Sequence, residues 1–187
     1  MHVVSQPHVA MPEAPTEHRE LVDALGTRHD PAGATARIVS LVPSVTELLF
    51  DLGLAGRIVG RTGFCTEPSD RVKKVPKVGG TKTVDMARLR RLSPTHVIVN
   101  IDENPRPMFE EIKRFVPNVI VTHPLGPLDN LALYRLLGGI FGADGAAEEL
   151  CARFVEAYEE ARSVARSLPR QRVLYLIGDT TITGKTG

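Results

Sequence analysis

Four short runs rich in valine and isoleucine, separated by segments with helical periodicity, constrain this chain more than any other feature. Each run is apolar on both faces, which is typical of strands in a parallel sheet that is covered by helices on either side. The alternation therefore predicts one α/β lobe over residues 37–142. The predicted strands are 37–42, 57–61, 95–100 and 118–122, and the predicted helices are 44–53, 85–92, 105–115 and 128–142.

The rest of the sequence falls into three parts. Residues 1–36 are polar and rich in proline, alanine and histidine, which predicts a loose tail with one short helix at 17–25. Residues 143–169 carry apolar side chains at spacings of three and four, which predicts one long helix at 144–168. Residues 170–187 begin with a further apolar strand, 172–177.

Polar, aromatic and glycine residues follow the predicted strands. The carboxyl ends of parallel strands open onto loops at one edge of the sheet, where open α/β sheets bind their ligands. We therefore expect a small-molecule site at this edge. Its candidate ligand-binding residues are Pro43, Ser44, Phe64, Cys65, Gly80, Thr81, Asn100 and His123. The spacing of Ser44 and Glu47 also predicts a capping box at the start of the first helix, and Asp85 is the predicted cap of the next.

Cys65 and His123 are in addition the candidate ligands of a transition metal. A thiolate and an imidazole both bind such ions, and both residues follow strands of the same sheet. Asp102 and Glu103 lie at the same edge, and the alternative is a solvated polar rim. His96 begins a strand at the opposite edge, so we expect a structural role for it.

Two stretches carry a resemblance to a known family. They are RIVSLVPSVTELLFDLGLAGRIVGRTGFCTEPSDRVKKVPKVGG and its continuation through PKVGGTKTVDMARLRRLSPTHVIVN. The sequence over roughly 37–177 resembles the class III substrate-binding proteins of ABC importers, which bind vitamin B12, haem and iron siderophores. The resemblance is specific in the arrangement of elements and does not identify the ligand.

The resemblance implies non-catalytic binding of cobalamin, a haem-like molecule or an iron siderophore across the strand-end loops. Phe64 stands where relatives present an aromatic ring to a flat ligand. The long helix would be the backbone that joins two lobes, and 170–187 would begin the second lobe. B12-binding relatives dock on an ABC permease through a glutamate expected near 104–107, where this sequence has Arg106. The resemblance also implies an extracytoplasmic location.

Composition and motifs bear on whether the chain binds nucleic acid, spans a membrane or is an enzyme. The 23 basic and 22 acidic residues give a net charge of +1, which offers nothing to attract nucleic acid. No apolar run reaches the roughly 18 residues of a membrane span, and the first 20 residues lack the pattern of a secretory signal, so the sequence as written predicts a cytoplasmic chain. No catalytic motif is present, so we expect no enzyme and no required cofactor.

Two interpretations stay open from the residues. One is a ligand-binding protein of the resembled class, and the other is a cytoplasmic metal- or corrinoid-handling protein that uses Cys65 and His123. Because relatives continue with a second α/β lobe, we expect the chain to be a fragment; the alternative is a functional single lobe.

Residues 172–177 are expected to cause self-association. The strand Arg172–Ile177 is apolar on both faces, and an unpaired apolar edge invites pairing with a second copy. Light scattering should show concentration-dependent association that disappears when the chain ends at Leu168. A full chain that stays monomeric at high concentration would contradict this prediction.

Overall fold

The computed structural model describes residues 20–169 and 171–172, and it contains the predicted parallel sheet. Its strands are β1 (Ile38–Ser40), β2 (Ile58–Arg61), β3 (His96–Asn100) and β4 (Asn118–Thr122). Their order is β2-β1-β3-β4, and every neighbouring pair is parallel. The α/β class and the four strands predicted from the apolar runs are therefore confirmed.

The helices follow the predicted alternation with shorter bounds. They are α1 (Pro43–Asp51), α2 (Ser69–Val72), α3 (Met86–Arg91), α4 (Arg106–Lys113), α5 (Asp129–Phe141) and α6 (Asp144–Ser167), with a 3-10 turn at Ala55–Arg57. The short α2 has no counterpart among the predicted helices. The long helix predicted at 144–168 is observed as α6.

Successive strand side chains point to opposite faces of the sheet. Helices cover both faces, so both sets of side chains are buried. On one face, Ile38, Ile98 and Ile120 join a core cluster that includes residues of α1 and α5. On the other face, valines 39, 97, 99 and 121 pack with residues of α3 and α4. Valine and isoleucine at adjacent strand positions thus supply both cores.

The chain divides into two compact units after Cys151. In the first unit, α6 buries Ala147 and Cys151. In the second, the described residues from Ala152 to Pro169 are all at least partly exposed, and neighbouring turns of the helix carry a Phe154–Tyr158 stack with ring centroids 6.0 Å apart. The proposed role of α6 as a connector between lobes stays a prediction, and residues 173–177 of the last predicted strand lie outside the described part.

The prediction of a loose tail up to residue 36 is wrong for its described part. Residues 20–36, called the strap below, form an irregular segment in which 20–25 contain no helix. The strap lies along the outer edge of β4, where the N–H of Ala24 donates to the Val121 carbonyl at 3.0 Å. The N–H of Ala32 donates to the Ile140 carbonyl of α5. The polar composition of these residues predicted a solvated tail. In the structure they are held by hydrogen bonds to the otherwise open edge of β4.

Asp23 is the main anchor of the strap. Its buried carboxylate accepts backbone N–H groups of Leu25, Thr27 and Val121 and the Nε2 of His29, at 2.9 to 3.1 Å. Burial, the largest single influence, raises the pKa of Asp23, but the hydrogen bonds from His29 and the three amides together outweigh it and lower the pKa below 3.8. The charged carboxylate is therefore the form that the fold favours.

Replacing Asp23 with asparagine should destabilise the lobe. An amide oxygen cannot satisfy all four donors, so buried N–H groups lose their acceptor, at about 2 kcal/mol in the free energy of unfolding. Urea unfolding followed by circular dichroism at pH 7 measures this loss, with the exposed Asp30→Asn as control.

The difference in unfolding free energy between the wild type and Asp23→Asn should depend on pH. The folded-state pKa of Asp23 lies below its unfolded value of 3.8, so its contribution is fully present above that value and is lost as the pH falls through the folded pKa. The difference between wild type and Asp23→Asn should therefore be constant near neutrality and should shrink in acid. A difference independent of pH would contradict the assignment.

Candidate functional site

The loops that follow the four strands form one edge of the sheet, called the strand-end rim below. After β1, helix α1 begins at Pro43. The N-cap of α1 is Val42, whose side chain makes no capping hydrogen bond. The predicted capping box is therefore wrong: proline is well suited to the first helical position, so the helix starts one residue early and Ser44 lies inside its first turn. The predicted cap Asp85 is confirmed, since its side chain accepts the N–H of Arg88.

Phe64 stands exposed on the rim. Its side chain is 64% accessible, so the alternative of a core phenylalanine is excluded. The loop after β2 is tied to residues 79–82, called the glycine loop below, by a 2.7 Å hydrogen bond from the Gly63 N–H to the Gly79 carbonyl. A Cβ at Gly80 would lie 3.4 Å from Phe64 Cε2, so the ring rests beside this glycine. The structure thus brings Phe64 and Gly80 together, as a binding surface would require.

Asn104 connects the rim loops after β1 and β3 with the glycine loop, and sequence reasoning missed it. Its Oδ1 accepts the Asn100 N–H at 2.8 Å, and its Nδ2 donates to the carbonyl of Thr81 at 2.8 Å and to that of Leu41 at 3.4 Å. The side chain is buried, with 6% of the residue accessible. One carboxamide therefore fixes the ends of β1 and β3 and the glycine loop relative to one another.

Cys65 is buried, contrary to the expectation of an available loop thiol. It is 1% accessible, and its Sγ lies 3.1 Å from Thr46 Oγ1 and 3.2 Å from Thr62 Oγ1. Thr46 in turn donates its hydroxyl proton to the Val42 carbonyl. In the described part of the chain no group of three potential ligands is placed to hold a metal ion. The prediction of Cys65 as a metal or small-molecule ligand is therefore corrected, because its sulfur packs inward.

His123 remains at the rim with an acidic partner. Its Nε2 lies 3.3 Å from Asp102 Oδ2, and its side chain is 29% accessible. The neighbouring Glu103 has a raised pKa, first because it is partly buried and second because the charge of Asp102 is close. The predicted gathering of His123, Asp102 and Glu103 at one edge is consistent with this geometry.

A pocket of 290 Å³ opens between α1 and α5 at the same edge. Ser44 and Asn100, both predicted site residues, lie in its wall. Its other lining groups include Glu47, Asp51 and Tyr134, none of which was a predicted ligand-binding residue. Tyr134 could not be found from its pattern, because a tyrosine on an amphipathic helix has the same spacing as a core residue.

His96 lies away from the rim and has the structural role expected of it. Its Nδ1 is 2.8 Å from Thr95 Oγ1, and its ring meets Phe141 edge-on. Burial, and to a smaller extent the charge of His29, lower the pKa of His96. The neutral imidazole is therefore the form that the fold favours.

The sequence profile of the periplasmic binding protein family matches residues 38–186, so this chain belongs to the periplasmic binding protein family. The resemblance seen in the strand and loop sequences is thereby confirmed, together with the fold class.

The similar proteins include some that are named for binding vitamin B12 or heme. The vitamin B12-binding protein of Yersinia pestis (strain Pestoides F) is 26% identical over 110 residues, which cover 56% of this chain and 39% of that protein. The apo form of the periplasmic heme-binding protein RhuT from Roseiflexus sp. RS-1 is 28% identical with a TM-score of 0.65, covering 73% of this chain and 52% of that one.

The structure of the periplasmic vitamin B12-binding protein BtuF of Vibrio cholerae, at 17% identity and a TM-score of 0.64, shares the fold; the match covers 70% of this chain and 51% of that one. The matched part thus spans about half the length of these two structures and 39% of the B12-binding protein of Yersinia pestis. Among the described residues, none of the helices has the length and apolar composition of a bilayer span.

Replacing Asn104 with leucine should loosen the rim. Leucine fills a similar volume but leaves the Asn100 N–H and the Thr81 carbonyl without partners, so we expect a loss of about 3 kcal/mol in unfolding free energy. Amide exchange at Asn100 should accelerate as well. The control is Asn130→Leu, which removes one exposed hydrogen bond, to the Pro127 carbonyl at the start of α5. Equal losses in the two variants would contradict the role of Asn104.

Proposed function

We propose that this chain binds a flat macrocycle or an iron chelate across the strand-end rim, as the ligand-binding lobe of an ABC importer in the periplasm. The ligand classes are cobalamin, haem and iron siderophores, and no catalytic step is involved. The family membership and the names of the B12-binding and haem-binding relatives support this class.

The observation that carries the proposal is the exposure of large apolar side chains along the rim. Phe64 follows β2, Ile101 follows β3, and Leu125 and Leu128 follow β4, with accessibilities of 64%, 44%, 78% and 51%. Exposed apolar side chains gathered at one edge are typical of a surface that is covered by a ligand or a partner. A flat ligand with an apolar face would bury them.

These side chains stand on loops that are held in place. The N–H groups of Leu125 and Gly126 both donate to Asp129 Oδ2, at 2.9 and 2.8 Å. The carbonyls of Thr62 and Cys65, which flank Phe64, accept hydrogen bonds from the buried guanidinium of Arg61 at 3.0 Å. Such preorganisation reduces the entropic cost of binding.

Polar groups between the apolar ones supply directional contacts. We assign His123 to the iron of a haem-type ligand, since a neutral imidazole is a common ligand of haem iron and Asp102 restrains its orientation. Pro43, Ser44, Thr81 and Asn100 would contact the ligand periphery from the loops after β1 and β3 and from the glycine loop.

The proposed docking site for the permease is the start of α4. Arg106 is there with a side chain 90% accessible, and its Nε lies 3.9 Å from Glu110 Oε1. Glu110 supplies an exposed negative charge one helical turn from Arg106. Arg106 stands where B12-binding relatives are expected to carry the glutamate that docks on the permease. Reversal of charge at such a position changes association more than it changes folding.

Haemin and cyanocobalamin titrations test the ligand class. At least one should bind saturably, and Phe64→Ala should weaken that binding about tenfold, as expected for loss of one stacked aromatic ring. Phe115→Ala is the matched control, because Phe115 precedes β4 and lies at the opposite edge of the sheet. Absence of saturable binding to both ligands, or equal weakening by both variants, would contradict the proposal.

His123→Ala separates the two ligand classes. It should change the Soret band of bound haemin, since an iron–nitrogen bond is lost, and should leave the absorption of cyanocobalamin unchanged. An unchanged haemin spectrum would exclude His123 as the iron ligand.

A further inference from the structure

An apolar pocket opens beside the rim, at the ends of β3 and β4. It lies between α4, the strap and the two strand ends, has a volume of 360 Å³ and is called the α4 pocket below. A cavity of this size is within the range of small-molecule sites. Its apolar lining residues come from each of these elements and are Leu25, Val99, Ile101, Phe109 and Val121.

The polar side chains in the wall of the α4 pocket find their hydrogen bonds within the protein. The carboxamide of Asn104 bonds three backbone groups of the rim loops, and Asn100 Nδ2 donates to Thr122 Oγ1. Among the described residues, no buried side-chain nitrogen or oxygen lacks a hydrogen-bond partner. A polar ligand group inside the pocket would lose its water without gaining a partner, which is unfavourable. The interior therefore selects an apolar group.

The two charged lining residues lie where the α4 pocket meets solvent. Arg106 and Glu110 have side chains 90% and 50% accessible, and Arg106 Nε lies 3.9 Å from Glu110 Oε1. Because these opposite charges are adjacent, the mouth of the pocket has no net charge to attract a free ion. Recognition therefore depends on the apolar interior.

The outer walls of the pocket are exposed but held in place. Leu25 and Ile101 are 56% and 44% accessible, whereas Val99 and Val121 behind them are buried. The N–H of Leu25 donates to Asp23 Oδ1 at 2.9 Å, so the anchor of the strap also positions this wall. A preformed apolar wall lowers the entropic cost of binding an apolar group.

The position of Ile101 indicates what fills the α4 pocket. Ile101 is one of the exposed apolar side chains of the rim and is also part of the pocket wall. Asn100, a predicted ligand-binding residue, is shared in the same way. A ligand that covers Ile101 on the rim therefore lies beside the mouth of the pocket, and an apolar substituent of that ligand can enter it.

We propose that the α4 pocket is a subsite for an alkyl or aryl arm of the ligand that binds at the rim. This inference rests on the proposed function and narrows its ligand class to macrocycles or chelates that carry such an arm. Leu25, Phe109 and the two buried valines surround the arm, and Ile101 lies between the arm and the body of the ligand.

Two free alcohols test the chemistry of the pocket without a macrocycle. 1-Hexanol and 1,6-hexanediol differ by one terminal hydroxyl group. Titration of the full chain followed by ¹H–¹⁵N NMR should show saturable binding of 1-hexanol, with the largest shifts at Ile101, Phe109 and Val121. 1,6-Hexanediol should bind at least about tenfold more weakly, because its second hydroxyl would be buried without a partner. Equal affinities, or no saturable binding of 1-hexanol, would overturn the proposal.

Substitutions of Leu25 assign this binding to the pocket. Leu25→Asp puts a charge in the apolar wall and should abolish the preference for 1-hexanol, whereas Leu25→Met keeps the wall apolar and should retain it. Because Leu25 is exposed and held through its backbone, both variants should fold, which circular dichroism checks. The matched control is Leu168→Asp, since Leu168 is 60% accessible and lies outside the pocket. A preference retained in Leu25→Asp would contradict the assignment.

Two iron porphyrins test whether the occupant is an arm of the rim ligand. Mesohaemin carries two ethyl groups where deuterohaemin has hydrogen atoms, and their propionates are the same. Burial of one ethyl group should make mesohaemin bind about tenfold tighter. Leu25→Asp should remove this difference, and Leu168→Asp should keep it.

The outcomes separate this inference from the proposed function. Saturable binding of both porphyrins with equal affinity would overturn the subsite and leave the proposed function standing. Binding of 1-hexanol without binding of either porphyrin would overturn the link between the pocket and the rim ligand, and would favour an apolar side chain of a protein partner as the occupant.

Discussion

A four-stranded parallel sheet has two open edges, and the need to close them organises the rest of this lobe. The strap closes β4 through Asp23 and Ala24, which satisfy the N–H and the carbonyl of Val121. At the other edge, Arg61 of β2 exchanges backbone hydrogen bonds with Pro76 and Val78, at 3.0 and 2.8 Å. Unpaired edges are sites of aggregation, so their closure is what permits so short a sheet to exist as a defined structure.

Closure of the β2 edge also builds the proposed binding surface. The segment that pairs with Arg61 leads directly into Gly79 and Gly80, and so it delivers the glycine loop to a position beside Phe64. The guanidinium of Arg61 is buried and donates to the carbonyls of Val72, Thr62 and Cys65. A buried cation held by carbonyls restrains the Phe64 loop, as the proposed role of this exposed phenylalanine in ligand binding requires.

The carboxyl edge of the sheet combines two kinds of surface. Exposed apolar side chains after β2, β3 and β4 form the proposed contact surface for a flat ligand, while the pocket between α1 and α5 has acidic and aromatic lining residues. Asn100 belongs to both, because it ends β3 and lines the pocket. Asn104 accepts the N–H of Asn100, so one buried carboxamide holds in place a residue that belongs to both surfaces.

The alternation of apolar strands and periodic helices determined the fold class and the strand positions, and it indicated the edge at which the proposed site lies, because these depend on local periodicity and on the direction of parallel strands. Tertiary structure alone decided the strap, the burial of Cys65 and the role of Asn104. Asp23 meets Val121 across 98 positions, and Asn104 meets Leu41 across 63. Hydrogen bonds between such distant residues leave no periodic trace in a sequence, since a polar side chain has the same pattern whether its partner is water or a remote backbone group.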